Sequence, residues 1–72
     1  MLAQILMTDA FVGVDRSGGR HKICEFTERH QAGTELVDGL KYYELDANGA
    51  KLNRISDTLF QVVTTGETLT KA

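Results

Sequence analysis

The chain lacks the covalent and sequence features that stabilise or anchor many small proteins. Its 72 residues include one cysteine, Cys24, and no proline or tryptophan. A single cysteine excludes a disulfide within the chain, and the absence of proline removes a common mark of an interdomain linker. No stretch approaches the roughly 20 consecutive apolar residues that a membrane-spanning helix needs. We therefore expect one small domain over residues 1–72 and no membrane partner.

The N-terminus and the cysteine content bear on the cellular compartment. Residues 1–14 have no basic segment ahead of their apolar residues, and Thr8 and Asp9 interrupt the apolar run, so they make a poor secretory signal. A lone cysteine in a chain without such a signal is typical of a reducing compartment. The sequence therefore predicts a cytoplasmic protein.

An excess of charge of one sign is also missing. Residues 1–36 and residues 37–72 each carry four Lys or Arg and five Asp or Glu, and the formal net charge is −2. Binding to a phosphate backbone normally requires a basic excess, so the charge balance does not favour a nucleic-acid partner. The chain is 42% hydrophobic and 25% charged, which indicates a folded protein.

The chain is short for a stable monomer. A protein of this size buries only about 60% of the surface of its unfolded chain, so its stability is marginal. Small domains usually gain support from disulfides, a metal ion or a partner chain. Because a disulfide within the chain is excluded, we expect a protein partner, and a second copy of the chain is the simplest one.

Residues 41–71 predict a β-meander, because one pattern occurs twice with an offset of 17 residues. Each copy has two apolar residues at alternate positions, a polar turn that ends in glycine, and a leucine. The two copies are Tyr43, Leu45, Gly49, Leu52 and Phe60, Val62, Gly66, Leu69. The alternation predicts strands whose aromatic and aliphatic residues share the inner face, and the turn residues predict hairpins.

The N-terminal half predicts hairpins less clearly. Residues 1–10 fit a helix or a strand, and we favour a strand because no helix cap precedes them. Residues 11–14 and 22–27 are predicted as two strands around a glycine-containing turn. Residues 28–33 are polar and are predicted to interrupt the second strand, whereas the Asp-Gly dipeptide at residues 38–39 predicts a further hairpin turn.

Hairpin-like units recur along the whole chain after residue 10. They begin with aromatic residues 15 to 17 positions apart, namely Phe11, Phe26, Tyr43 and Phe60. An ordinary meander of short strands explains this recurrence without an internal duplication. We therefore predict a mainly β fold, a small antiparallel meander or partly closed barrel built from short hairpins, with an ambiguous N-terminal segment.

Three side chains have the chemistry of zinc ligands, namely His21, Cys24 and His30. Structural zinc sites usually have two close pairs of ligands, and strand alternation directs His21 and Cys24 to opposite faces. We therefore expect no metal or cofactor, and we expect Cys24 to be buried on the same face as Phe26, in the core. No motif orients a catalytic base next to Cys24, so no catalytic residue is predicted. The Asp-x-Asn-Gly motif at residues 46–49 lacks the other ligands of a calcium loop.

Residues 16–22 form a basic, glycine-containing loop whose backbone N–H groups could converge on an anion. The loop matches neither a Walker motif nor a dinucleotide-binding fingerprint. It supports a rival hypothesis, a nucleic-acid-binding small barrel of the OB or SH3-like kind. The side chains that would contact nucleic acid are Arg16, Arg20, Lys22, Arg29 and Tyr42.

The leading hypothesis is a binding or structural module that acts through protein–protein contacts and self-associates as a homodimer. The segment from Leu59 to Val63 is apolar on both faces, so the face bearing Leu59, Gln61 and Val63 is the predicted interface. An alternative is that residues 1–10 cover this face within one chain, through Leu2, Ile5 and Leu6.

Overall fold

The protein is a closed barrel of six antiparallel strands, as described for residues 3–72 by a computed structural model. The strands are β1 (Ala3–Val14), β2 (Arg20–Ala32), β3 (Glu35–Leu45), β4 (Lys51–Arg54), β5 (Leu59–Val62) and β6 (Thr68–Lys71). Each strand pairs with the next, and β6 returns to β1. The predicted antiparallel meander is thus confirmed, the barrel is closed rather than partly open, and the N-terminal segment is a strand from residue 3.

Strand lengths divide the molecule into a barrel and a projecting arm. β1, β2 and β3 have 12, 13 and 11 residues, whereas β4, β5 and β6 have four each. The short strands close only one end of the long ones. The remainder, residues 3–10, 25–32 and 35–42, is a three-stranded antiparallel sheet that we call the arm. It accounts for the elongated shape, 48 × 20 × 18 Å.

The hydrophobic core lies inside the closed end. It consists of the buried side chains of Ile23, Tyr43, Leu52, Phe60, Val62 and Leu69. Phe11 joins them through ring contacts of 5.2 Å with Phe60 and 6.5 Å with Tyr43, measured between ring centroids. The predicted inner-face position of Tyr43, Phe60 and Val62 is confirmed, and each large side chain contributes roughly 1.5–3 kcal/mol by burial.

Closure of the barrel depends on a close approach at Gly13. Gly13 pairs with Lys71 of β6, and a Cβ at this position would lie 2.7 Å from Cδ1 of Ile23 and 3.0 Å from Cβ of Leu69. No larger residue fits there without displacing the core. Glycine therefore allows β1 to continue from the arm into the pairing with β6 that closes the barrel.

The repeated pattern in residues 41–71 forms two hairpin loops with the same hydrogen bonds. The N–H of Gly49 donates to Leu45 O and the N–H of Gly66 donates to Val62 O, both at 2.8 Å. Both glycines have positive φ, 70° and 75°. Gly18 and Gly33 also have positive φ, so the four hairpin turns with such a glycine recur about every 16 residues, as the sequence pattern indicated.

Two predictions for the middle of the chain are wrong. Residues 28–33 do not interrupt β2, which continues to Ala32, and the turn falls at Gly33. Asp38 and Gly39 lie inside β3, where Gly39 and Leu40 form a bulge opposite Glu28. The polar residues are tolerated in these strands because both faces of the arm lie outside the barrel.

The N-terminal segment does not cover the outer face of β5. Residues 3–10 pair with β2, and the side chains of Ile5 and Leu6 are exposed. Leu2 lies outside the described residues. The outer side of β5 is therefore not covered by residues 3–10. Leu59 and Gln61 are half-buried on it, and Val63, directly after the strand, is exposed.

We predict that Gly49→Val destabilises the protein by about 1–3 kcal/mol, because a β-branched residue is strained at positive φ. A Cβ at Gly49 has space, with the nearest atom, Oε1 of Glu44, at 4.0 Å. The cost would therefore arise from the backbone and not from a clash. Urea unfolding monitored by circular dichroism measures the change in unfolding free energy.

Gly49→Asn is the matched control for this prediction, since asparagine tolerates positive φ better than other residues. The asparagine variant should lose less stability than the valine variant. Equal losses would contradict a backbone origin.

Candidate functional site

The arm presents an outer face that continues the outside of the barrel. Residues paired across neighbouring strands share a face, and Met7, Phe26 and Tyr42 lie opposite one another in β1, β2 and β3. The alternation of side chains then assigns the rest of this face. The outer face consists of Ile5, Met7, Phe26, Glu28, His30, Val37, Leu40 and Tyr42.

Most of the exposed large hydrophobic side chains of the described residues lie on the arm. Eight large hydrophobic side chains are exposed between residues 4 and 72, and six of them belong to the arm. On the outer face Ile5, Met7 and Leu40 are 62%, 58% and 66% exposed. A depression of about 400 Å³ at the base of this face is lined by Ile5, Phe26 and Tyr42, together with the ion-paired Glu44 and Lys51. Contiguous apolar surface of this kind marks interaction sites in soluble proteins.

One polar cluster lies within the outer face. Nε2 of His30 hydrogen-bonds Oε1 of Glu28, and the Tyr42 hydroxyl donates to Oε2 of Glu28 at 3.4 Å. All three side chains are half-buried. The carboxylate thus has partners on both oxygens, which limits the cost of covering this face with another apolar surface.

The inner face of the arm is more polar. Nε of Arg29 donates to Oδ1 of Asp38 at 2.9 Å in an exposed ion pair. Two exposed leucines lie on this face, Leu6 in the edge strand β1 and Leu36 in the edge strand β3. The apolar residues of the inner face are thus separated by polar side chains of β2.

A hydrogen-bond network joins the arm to the barrel. Thr8 Oγ1 donates to Glu25 Oε1 at 2.7 Å, the Tyr43 hydroxyl donates to Glu25 Oε2 at 3.0 Å, and Lys41 Nζ donates to Thr27 Oγ1 at 3.0 Å. Thr27 is completely buried. The hydrogen bond from Thr8, and then those from Tyr43 and Lys41, lower the pKa of Glu25. Burial, and then the nearby Glu25 carboxylate, raise the pKa of Tyr43. The proton therefore stays on the tyrosine, and the network holds an ionised Glu25.

The mouth of the barrel forms a second concave site, of about 400 Å³, beside this network. Its floor is aromatic and its rim carries three acidic and three basic side chains. The lining residues are Asp9, Phe11, Glu25, Lys41, Tyr43, Arg54, Asp57, Phe60 and Lys71.

Four of the six charged side chains at this mouth form ion pairs within the chain, and a fifth lies over an aromatic ring. Arg54 pairs with Asp57, Nζ of Lys41 lies 3.5 Å from Glu25, and Nζ of Lys71 lies 4.5 Å from the centre of the Phe11 ring. The balanced rim does not select a ligand of either charge. Sequence reasoning did not identify this site, because its residues come from all six strands and one turn.

The backbone N–H groups of the loop at residues 16–22 bind the carboxylate of the neighbouring Asp15. Oδ1 of Asp15 accepts hydrogen bonds from the N–H groups of Ser17 at 2.9 Å and Gly19 at 2.7 Å. Nε2 of His21 lies 2.8 Å from Oδ2 of Asp15. The hydrogen bond with His21, and next that from Gly19, lower the pKa of Asp15. These N–H groups are therefore engaged, and the loop geometry gives no support to an external phosphate.

The proposed nucleic-acid contacts do not share one surface. Arg16 and Arg20 are exposed at the β1–β2 turn, whereas Arg29 lies on the arm, nine residues from Arg20 along β2. At about 3.3 Å per residue this separation is roughly 30 Å. Lys22 and Tyr42 lie on the outer side, and Arg29 lies on the inner face, where it pairs with Asp38.

The three candidate metal ligands are also dispersed. His21 bonds Asp15, His30 bonds Glu28, and the Cys24 thiol donates to Oδ1 of Asp46 at 3.6 Å. Residues 3–72 contain no group of three or more His, Cys, Asp or Glu placed to share a metal ion.

Cys24 is buried, as predicted, but not in the core. It is 3% exposed and lies on the outer side of β2 beneath Asp46, on the same face as the half-buried Phe26. The prediction that this face is the core face is wrong, because Ile23 and Thr27 carry the inner positions of β2. Burial, and then the Asp46 carboxylate, raise the pKa of the Cys24 thiol.

Sequence reasoning missed the arm as a site, although a signal for it exists. Gly33 lies 15 residues after Gly18 and 16 before Gly49, so the spacing of turn glycines places the β2–β3 turn there and not at Gly39. A turn at Gly33 gives long strands on both sides of it, β2 and β3. The polar residues 28–33 then belong to a strand that is exposed on both faces.

Fold and site together define a small six-stranded antiparallel β-barrel with a three-stranded apolar arm. Comparisons with protein-family models, with curated proteins and with solved structures give no match to this chain. Within residues 3–72 there is no helix with the length and hydropathy needed to cross a bilayer.

We predict that Asp15→Asn weakens the acid dependence of stability. The pKa of Asp15 is lower in the folded protein than its ordinary value of 3.8. The ionised carboxylate therefore stabilises the fold above that value, and its contribution is lost as the pH falls through the folded pKa. Asparagine keeps an oxygen for the Ser17 and Gly19 N–H groups but cannot lose this contribution. Urea unfolding across the acid range should give a shallower slope of unfolding free energy against pH for the variant.

Asp57→Asn removes the same charge at an exposed position and is the control for this prediction. Glu25, whose pKa is also lowered, keeps its own acid dependence in both variants. Identical slopes for wild type and Asp15→Asn would contradict the role of Asp15.

We predict that Cys24 reacts slowly with thiol reagents in the native protein, because the thiol is buried and its pKa is raised. Labelling with a chromogenic disulfide reagent should be at least roughly 100-fold slower in buffer than in denaturant. Ser17→Cys in a Cys24→Ala background gives an exposed thiol as the reference. Equal rates for the two native proteins would show that Cys24 is accessible.

Proposed function

We propose that this protein is a small binding or structural module that acts through protein–protein contacts, associates with copies of itself, and uses the arm as its contact surface. The supporting observation is the concentration of exposed large hydrophobic side chains on the arm, six of the eight between residues 4 and 72. The barrel stabilises the base of the arm and is not itself the binding element.

The area of the arm accords with a contact of modest strength. A face of three strands about 4.8 Å apart and eight residues long at about 3.3 Å each measures on the order of 400 Å². A stable interface buries about 800 Å² on each partner. One face of the arm therefore supports a weak, concentration-dependent association, and burial of an edge as well as a face would strengthen it.

The proposal gives the chain no catalytic function. At the barrel mouth Arg54 pairs with Asp57 and Nζ of Lys41 lies 3.5 Å from Glu25, so these four groups interact with one another and are not poised as acid and base for a substrate. The only cysteine is buried with a raised pKa, a poor state for a nucleophile. A reducing, cytoplasmic setting is part of the same proposal, because this lone thiol has no partner for a disulfide within the chain.

The outer side of β5 is the alternative contact surface. It carries Leu59 and Gln61, which are half-buried, and Val63 follows directly after the strand and is 54% exposed. It offers fewer exposed apolar side chains than the arm, and a glutamine lies between its two apolar residues. The arm is therefore the preferred surface.

We predict that the protein has a solution mass above its monomer mass of 7.9 kDa and that Met7→Lys shifts it towards the monomer. Met7 lies on the outer face beside the β1 edge, so a lysine there adds a charge to the contact without entering the core. Light scattering or sedimentation across a concentration series gives the dissociation constant, which should rise at least about tenfold.

Val63→Lys is the matched control, because Met7 and Val63 have similar exposure, 58% and 54%, and the change in charge is the same. It should leave the mass unchanged. The reverse pattern would place the contact on β5, and a monomer at every concentration would refute self-association. Circular dichroism of both variants checks that the fold is kept.

A further inference from the structure

The arm has two free sheet edges, and they differ in charge. Within the described residues, β1 pairs on its outer edge with β6 only at Gly13 and Val14, and β3 pairs with β4 only at Tyr43 and Glu44. The distal part of the β1 edge, residues 4–8, has no charged side chain. The distal part of the β3 edge is bounded by Glu35 and Asp38.

Natural edge strands usually carry a device that prevents pairing with another chain, such as a bulge, a proline or an inward charge. β1 has one at its base, where Thr8 is bulged and Oδ1 of Asp9 accepts a hydrogen bond from the N–H of Ala10 at 2.8 Å. Residues 4–7 lie beyond this protection. They form an extended, uncharged edge with Ile5, Leu6 and Met7 exposed.

The sequence of this edge is complementary to itself in an antiparallel register. With a twofold axis at Leu6, Leu6 lies opposite Leu6 of the second copy and Ile5 lies opposite Met7. The pairing ends there, because Gln4 would face the bulged Thr8, whose hydroxyl is already hydrogen-bonded to Glu25 and Thr27. Apolar cross-strand pairs stabilise a sheet, and in the isologous contact the Ile5–Met7 pair occurs twice.

The β3 edge does not have this property. An antiparallel pairing centred between Leu36 and Val37 sets Glu35 opposite Asp38 of the second copy, twice. Directly opposed like charges destabilise a sheet. Pairings centred on Leu36 or on Val37 avoid this, but they set Glu35 opposite Val37 or Leu36 opposite Asp38, which places a carboxylate against an apolar side chain. The charges therefore favour the β1 edge over the β3 edge for contact between identical chains.

We propose that two copies of this chain associate through residues 5–7 of β1, paired antiparallel about Leu6, so that the two arms form one continuous six-stranded sheet. This inference rests on the self-association proposed above and specifies its geometry. Pairing brings Ile5 of one chain beside Met7 of the other on the outer side. The outer faces of both arms then form a single apolar surface.

Disulfide cross-linking of Leu6→Cys in a Cys24→Ala background tests the register. Directly opposed residues of antiparallel strands have Cα atoms about 4.5–5.5 Å apart, within the range of about 4.4–6.8 Å that a disulfide spans. Under mild oxidation this variant should form a covalent dimer at least roughly ten times faster than Leu36→Cys in the same background. Leu36 is the matched control, since it is an exposed leucine of the inner face at the β3 edge.

The outcomes separate this inference from the broader proposal. A dimeric mass without cross-linking of Leu6→Cys would overturn the β1 pairing but not self-association. Faster cross-linking of Leu36→Cys than of Leu6→Cys would have the same meaning. Packing of outer faces against each other also predicts no Leu6 cross-link, because Leu6 lies on the inner face. Species that grow beyond the dimer would indicate pairing of β1 with β3, which does not close.

Hydrogen exchange of the unmodified protein is a second test that needs no substitution. Backbone amides on the β1 edge should exchange more slowly as the protein concentration rises, because pairing protects them. Amides of residues 35–38 on the β3 edge should show no such dependence. Protection of the β3 edge alone, or of neither edge in a dimeric sample, would overturn the proposal.

Discussion

The structure depends on a mismatch of strand length within one continuous sheet. Three short strands complete a barrel around one end of three long ones, and the remainder of the long strands has no further strands to pair with. A sheet must close on itself or leave edges, and this chain does both. The closed end provides the stability, and the open end provides the exposed edges and faces on which the functional proposal rests.

The junction between the two parts is polar and fully bonded. Glu25 accepts hydrogen bonds from Thr8 and Tyr43, and the buried Thr27 hydroxyl is bonded to Thr8 and Lys41. No buried side-chain nitrogen or oxygen of the described residues lacks a partner. Such a network is specific in geometry, because each partner left unpaired would cost free energy. It holds the arm at a defined direction from the barrel, as a rigid contact element requires.

Several charged side chains are bonded within the chain. Asp15 accepts hydrogen bonds from the N–H groups of its own loop, and at the barrel mouth Arg54 pairs with Asp57 and Lys41 with Glu25. The arm, in contrast, carries most of the exposed large hydrophobic side chains of the described residues. The contrast between an internally paired barrel and an apolar arm is the physical basis for assigning binding to the arm.

The sequence by itself determined the fold class, the meander of residues 41–71 and its turns. These features depend on local chemistry, since positive φ at Gly49 and Gly66 and the alternation around Tyr43 and Phe60 act within a few residues. Only the tertiary structure decided which face of β2 is the core face and that the arm lies outside the barrel. Periodicity detects a strand by its contrast of buried and exposed faces, and the arm has little such contrast because both of its faces are exposed. Closure of the six strands into a barrel likewise decided that Cys24 and Phe26 lie on the outer side of β2. It also decided that the backbone at Gly13 approaches Ile23 and Leu69 closely. No single strand of the sequence shows either feature.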